Sequence, residues 1–543
     1  MKAEQNELIT RVGPGTGCGE LLRRYWQPAA LVDEFNPALD PRMARRPVKA
    51  VRLMGQDLVL FKDAQGQWGL LDRDCPHRGA DLSFGRHEGD GLRCPFHGWK
   101  FAVDGTCLET PAEPAGSKLC ERVRQRSYPV LERAGVVFAW LGPDGMTPPP
   151  LPAFDCFTAP ATHSFAFKGL WNANWLQAFE VGIDPAHPSF LHRFLQDEAL
   201  DAIGDNAAGK QFRSASAGAI DGEQWPMTRI MREFAQPEIS FETQPWGLQI
   251  TALRPMNDQL THVRVTDAVF PATFVIPLSE TMTITQMHVP VDDTHTYWYS
   301  FFTSFAGPLD KEAMRAQRQQ FISLPDYIPK SGRHNHWGFN PEEQMSTTYL
   351  GMGEEDINVH DQWAVESMGA IQDRTREHLG TSDKIIMANR RVLLKAIETV
   401  QAGGVPPGAP AAGKVWWAAG VAALVLCAER TNVSAVATSI LALAGVTVLA
   451  RGFFFISNRD WHLPTWAERG LQYAPIAALS AVVVPEIVLV QGQLVHTWRD
   501  ARLFAVAAGI AWFYARRGKG QGVLGTILSG MAVYLPLHLG LGW

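Results

Sequence analysis

Nothing in this chain equips it to bind nucleic acid. Its 543 residues carry a formal net charge of -6, and no dense Lys/Arg run supplies a basic field for a polyanion. The opening residues, Met1-Lys-Ala-Glu-Gln-Asn-Glu7, lack the apolar stretch that a secretory signal needs. Cysteine is scarce, and its seven positions (Cys18, Cys75, Cys94, Cys107, Cys120, Cys156 and Cys427) do not form a disulfide framework. Two of them stand in metal-ligand spacing, which fits a reducing compartment. What remains is long enough for two to four domains with sizeable cores.

The first metal signature lies in a region of short β-rich runs broken by Gly, Pro and Asp, which predicts an all-β domain over 47–150 behind a helical lead-in at 1–46. Cys75-Pro-His77-Arg-Gly79 and Cys94-Pro-Phe-His97-Gly-Trp99 are separated by sixteen residues between His77 and Cys94. Two thiolates and two imidazoles from two loops suit either zinc or a Rieske-type [2Fe–2S] cluster, with cysteines on one iron and histidines on the other. The Gly, Pro and Trp flanks favour the cluster, because the loop backbones must approach its sulfurs closely. Cys107 and Cys120 match neither position and read as ordinary core cysteines.

The second signature is Glu180-Val-Gly-Ile-Asp184-Pro-Ala-His187-Pro-Ser-Phe-Leu-His192. On an ideal helix Glu180, Asp184 and His187 share a face, being spaced by four and then three. His192 would point away unless the helix distorts near Pro188. Two convergent histidines with a carboxylate and open positions suit non-haem ferrous iron, although histidines near acidic residues are also common on ordinary helices. After a Pro-rich link, 151–402 mixes antiparallel strands with helices, which predicts an α+β fold ending in one long helix over 365–401. Asp361 opens that helix and offers a distant carboxylate, with Glu354, Glu355 and Asp356 as neighbouring alternatives.

On these motifs residues 1–402 resemble the catalytic α subunits of Rieske non-haem iron aromatic ring-hydroxylating oxygenases, in the phthalate dioxygenase branch. The resemblance implies a Rieske domain followed by a helix-grip catalytic domain, an antiparallel sheet with a C-terminal helix. It implies Cys75, His77, Cys94 and His97 as cluster ligands, and His187, His192 and Asp361 as the iron triad. Glu180 and Asp184 would be catalytic, with Asp184 bridging to His97 of a neighbouring subunit in a homotrimer. NAD(P)H electrons would come through a separate flavin/iron–sulfur reductase, since no nicotinamide or flavin motif is present here. Substrate would be an aromatic carboxylate or aryl ether, held in part by Arg213 and Arg254, for which surface ion pairs are the rival reading. O-demethylation is the alternative reaction. An electron carrier without its own catalysis is a rival, as is a redox- or ligand-sensing N-terminal part of a transport-associated membrane protein.

The C-terminal part changes character. A Pro/Gly/Ala linker at 403–414 precedes apolar runs at 435–456, 471–490, 503–514 and 523–539, which predict an all-α membrane domain over 415–543. This part resembles the AzlD-type small subunit of branched-chain amino-acid exporters, through Arg451-Gly-Phe-Phe-Phe and Val484-Pro-Glu486-Ile. The resemblance implies a cytoplasmic oxygenase anchored to the inner membrane, with a larger AzlC-type subunit as a possible partner.

Overall fold

The computed structural model describes residues 1–197, 215–220, 223–258, 260–279 and 281–408, together with 423–428, 489–490, 493–494 and 504. By internal contacts Met1–Leu449 form one compact unit and Ala450–Trp543 a second.

The cluster-bearing region is all β, as its alternating and β-branched runs predict. One four-stranded antiparallel sheet joins Val48–Leu53, Gln56–Lys62, Trp68–Asp72 and Ser127–Tyr128; another joins Arg86–Glu88, Gly91–Arg93, Lys100–Phe101 and Cys107–Glu109. Both contribute to a small separate core that includes Val59, Phe61, Leu71, Leu92, Trp99 and Phe101. The metal-binding loops leave this core from the ends of short strands.

The catalytic region is built on a seven-strand antiparallel path. Its order is Ser164–Trp171, Thr296–Ser304, Met282–Pro290, Thr273–Pro277, Leu260–Val269, Gly247–Pro255 and Glu238–Gln244. Thr, Val, Ile and aromatic residues dominate these strands, the composition that packs well on a pleated surface. The helices Trp175–Ile183 and Lys384–Gln401 pack on the sheet, giving the expected α+β arrangement.

Four local expectations need correction. The lead-in is a pair of helices, Ala3–Thr10 and Gly17–Leu22, and Trp26–Leu31 is already a strand. The Thr16 hydroxyl accepts the Gly19 N–H at 3.1 Å and starts the second helix early. The long helix over 365–401 is two helices, Asn358–Ser367 and Lys384–Gln401. Gly369 at φ 93 stops the first of them. The site helix ends at Ile183 rather than distorting at Pro188, because Pro185 pushes Asp184 out of the helical region.

The fourth correction concerns 415–428. Ala423–Ala428 forms a strand, antiparallel to Leu260–Val265 of the catalytic sheet. A short apolar run satisfies helix and strand periods equally, and here an open sheet edge takes it. The apolar runs from 435 onward, and so the expected all-α membrane domain, lie outside the described residues, apart from Phe504 and a two-residue ladder of Leu489–Val490 with Gln493–Leu494. Among the described residues no helix is long and apolar enough to cross a membrane.

Candidate metal centres and the adjoining pocket

The two cluster loops are built to one plan. Cys75 N–H donates to the Ala80 carbonyl at 2.8 Å and Gly79 N–H returns to the Cys75 carbonyl at 2.8 Å. In the second loop Cys94 N–H donates to Trp99 at 2.8 Å and Gly98 N–H to Cys94 at 3.0 Å. Gly79 and Gly98 stand at φ +75° and +78°, a left-handed turn that a side chain disfavours. The loops bring His77 and His97 together with ring centroids 4.4 Å apart, and Trp99 stacks on His77 at 4.4 Å. Buried Cys75 and Cys94 complete the set. His97 Nδ1 is buried without a hydrogen-bond partner, an orphan that metal ligation would satisfy. Cys107 and Cys120 pack in the same small core, in sulfur contact with each other at 3.4 Å.

The second centre forms where the chain leaves the helix Trp175–Ile183. After Asp184, a short 3-10 turn His187–Ser189 swings both imidazoles together, with ring centroids 5.2 Å apart. The helix Asn358–Ser367 brings Asp361 to them. Its Oδ1 lies 3.2 Å from His192 Nε2 and 3.7 Å from His187 Nε2, yet makes no hydrogen bond of proper geometry. One ligand atom from each of the three residues falls within 4.8 Å of the others. Lone pairs converging on a common point without bonding one another suit a cation between them, and the two-histidine, one-carboxylate donor set is that of non-haem iron. Burial works to raise the Asp361 pKa, but His192 and His187 outweigh it and hold the carboxyl below its usual value.

The far side of each imidazole is engaged. His187 Nδ1 donates to the Asp184 carbonyl at 2.6 Å. His192 Nδ1 meets His360 Nδ1 at 3.3 Å, and His360 Nε2 donates to the Gly353 carbonyl at 2.9 Å. Burial, with His192 adding to it, lowers His360 to about 4, so it is neutral at physiological pH. The sequence reading missed His360, although it directly precedes Asp361.

Glu180 is not part of this set. Its carboxylate accepts from Arg390 Nε at 2.6 Å and from Arg374 at 3.1 Å, tying the site helix to the last helix. Both its oxygens are committed, which corrects the expectation that it is catalytic. Asp184 stays near His187, its Oδ1 accepting the Ala186 N–H at 2.8 Å. Its side chain is 23% exposed and borders an outer cleft of about 630 Å³.

A cavity of about 120 Å³ adjoins the triad, lined by Ile250, Phe274, Ile284 and Phe302 among others, with Gln286, Arg264 and Arg318 among its polar members and Glu354 and Glu355 also on its lining. That is close to the cavity of about 150 Å³ known to take benzene, so the space suits a single ring. Arg254 does not line it. It is fully buried, and its Nη2 donates to the Pro185 carbonyl at 2.8 Å while Nε and Nη1 have no hydrogen-bond partner among the described residues, so the structure does not bring the expected substrate arginine to the cavity wall. Arg213 lies outside the described residues. Arg264 lines the cavity at 8% exposure, and among the described residues it forms no ion pair and its Nε has no partner. Burial lowers its pKa to about 10, so it stays charged. A strict period-two reading of Val263-Arg-Val-Thr266 would have placed Arg264 and Thr266 on one face.

Comparison with known proteins agrees with this geometry. Residues 31–129 match the Rieske [2Fe-2S] domain, 139–415 the family described as LigXa C-terminal domain like, and 436–538 the branched-chain amino acid transport protein AzlD. The chain is similar to the phthalate 4,5-dioxygenase oxygenase subunit of Pseudomonas putida, 35% identical over 416 residues, 74% of this chain and 87% of the relative. It is 32% identical to the tert-butanol monooxygenase / tert-amyl alcohol desaturase oxygenase subunit of Aquincola tertiaricarbonis, over 75% of this chain and 78% of that protein. Similarity to the 5,5'-dehydrodivanillate O-demethylase oxygenase subunit of a Sphingobium species is also 32%, over 75% of this chain and 82% of the relative. With a Rieske domain, a matching catalytic domain over half its length and relatives covered to 78–87% of their own length, this chain belongs to the Rieske non-haem iron oxygenases, enzymes built on a [2Fe–2S] cluster and a mononuclear iron.

Proposed function

We propose that the chain oxygenates a single-ring aromatic acid. His187, His192 and Asp361 would hold ferrous iron, and Cys75, His77, Cys94 and His97 the cluster. When bound, these centres supply dioxygen activation and the electrons for it, which a separate NAD(P)H-dependent reductase delivers. Arg264 carries the substrate assignment. A buried guanidinium without an anion is unfavourable, and its planar fork matches a carboxylate. The apolar wall of Ile250, Phe274, Ile284 and Phe302 would take the ring and keep water from it.

In a homotrimer Asp184 would accept a hydrogen bond from the partner subunit's His97, linking cluster to iron. Two features support this: Asp184 opens onto the outer cleft, and the buried, orphaned Nδ1 of His97 would face the cluster and leave Nε2 outward. Residues 436–538, through their AzlD match, would hold the enzyme at the inner membrane. Recovery of the full chain in the soluble fraction of lysed cells would count against that attachment.

The experiment is a single turnover of the iron-loaded, chemically reduced chain with labelled dioxygen and a panel of benzoates and aryl ethers. Product from an aromatic acid is expected. Two labels in a cis-diol make it a dioxygenase, and one label with loss of an alkyl group makes it an O-demethylase. No product from any compound, with both centres full, overturns the enzymatic reading in favour of a sensor. Arg264→Gln should raise the apparent KM for the acid about 10–100-fold, as losing about 1.5–3 kcal/mol of charged hydrogen bonding implies. An unchanged KM rules out the carboxylate contact.

A further inference from the structure

The two histidines of the triad are held differently on their far sides. His187 Nδ1 faces a backbone carbonyl, that of Asp184, at 2.6 Å, so it must donate. That leaves Nε2, the atom facing Asp361, as a bare lone pair. For His192 the neighbour at 3.3 Å is another imidazole nitrogen, His360 Nδ1, which could donate or accept. The ambiguity is removed one residue further out. His360 Nε2 sits 2.9 Å from the Gly353 carbonyl, which can only accept. With its N–H on Nε2 for that carbonyl, the ring turns Nδ1 as a lone pair towards His192, whose Nδ1 then carries the hydrogen. His192 Nε2, 3.2 Å from Asp361 Oδ1, then presents a lone pair on the side of the iron ligands.

We infer that His360 is a positioning residue for the iron site: it relays the Gly353 carbonyl to His192 and locks the tautomer that presents Nε2 beside Asp361. The inference rests on His187, His192 and Asp361 being the iron ligands. His360 lies in the helix Asn358–Ser367 directly before Asp361, so one turn of backbone sets both a ligand and the orienting group of another ligand. The two rings lie nearly parallel, 23° apart with centroids at 5.4 Å, so packing alone could also hold His192. Separating those two roles decides the experiment.

The full chain is stripped of mononuclear iron and titrated with ferrous iron against a ferrous chelator, in wild type, His360→Phe and His360→Gln. Phenylalanine keeps the ring but removes the acceptor, and glutamine restores an acceptor without the ring. His360→Phe should lose affinity about 10–100-fold, as loss of an outer-shell partner typically does, and His360→Gln should regain most of it. Wild-type affinity in His360→Phe overturns the inference, and so does loss in both variants, which would assign the effect to ring packing. The signal of the reduced cluster reports folding in each protein. Should His360→Phe not fold, pulsed electron paramagnetic resonance of copper(II) in the wild-type site still decides. Two remote imidazole nitrogens, both protonated and in unequal environments, are expected, and an unprotonated one overturns the relay. Failure of the wild type to hold ferrous iron at all would instead refute the triad.

Discussion

Glu180 and Arg264 show opposite ways of keeping a charge inside a protein. Glu180 is surrounded by its own counterions. Burial pushes its pKa up, yet Arg374 and Arg390 more than compensate, leaving it below the usual 4.5. A carboxyl depressed in the folded state stabilises fully above its unfolded pKa and loses that contribution as pH falls through the folded value. Glu180→Gln should therefore destabilise the protein by about 3–5 kcal/mol at pH 7, the cost of leaving buried Arg374 without its carboxylate and Arg390 with Glu377 alone. Urea midpoints of the two proteins should converge as pH drops below about 4.5. Equal midpoints at pH 7 would show that the ion pairs contribute nothing. Arg264, by contrast, has no ion-pair partner among the described residues, and on the proposed function its anion is the substrate's. Spacing alone does not separate such residues, because acidic and basic residues read alike in sequence whether they meet a ligand or each other. That is why Glu180 was misassigned and Arg264 went unnoticed.

At the scale of elements, the site depends on where one helix stops. The strands of the catalytic sheet were legible, since runs such as Thr296-Tyr-Trp-Tyr-Ser-Phe-Phe302 suit little else. Helix ends were not, because caps and prolines compete within a few residues: Pro185 wins over Pro188, and Gly369 divides what read as one helix. Near the end of the site helix, Gly182 fits only because it lacks a side chain, since a Cβ there would lie 1.8 Å from Phe274. Phe274 lines the pocket. Gly182→Ala should therefore displace the Phe274 ring, destabilising by about 1–3 kcal/mol as overpacking does, and raise KM for ring substrates while leaving ferrous affinity intact. Loss of iron binding in that variant would place the strain at the histidine turn instead.

At the scale of the whole molecule, the two cluster loops and the two histidines were readable from spacing, but Asp361 was not. It stands far along the chain from His192, and a family resemblance, not periodicity, singled it out from Glu354, Glu355 and Asp356. The strand Ala423–Ala428 carries a further expectation. A chain ending at residue 408 would lack it and leave Leu260–Val265 unpaired on that side. Open edges recruit other chains, so the truncated form should self-associate more strongly than the full chain in sedimentation velocity. Closure of the catalytic unit also joins distant parts: Asn6 donates to the Gln372 carbonyl at 3.0 Å, and Arg374 donates back to Asn6 at 3.2 Å. On a ribosome adding about 5–20 residues per second, His187 and His192 emerge long before Asp361 and His360, and the N-terminal helix, which also meets Asn174 and Trp175, cannot complete its docking until residues 372–374 have left the exit tunnel. The iron centre is therefore completed well after the cluster loops, and a nascent chain stalled before residue 358 would carry its cluster ligands but no finished place for the catalytic metal.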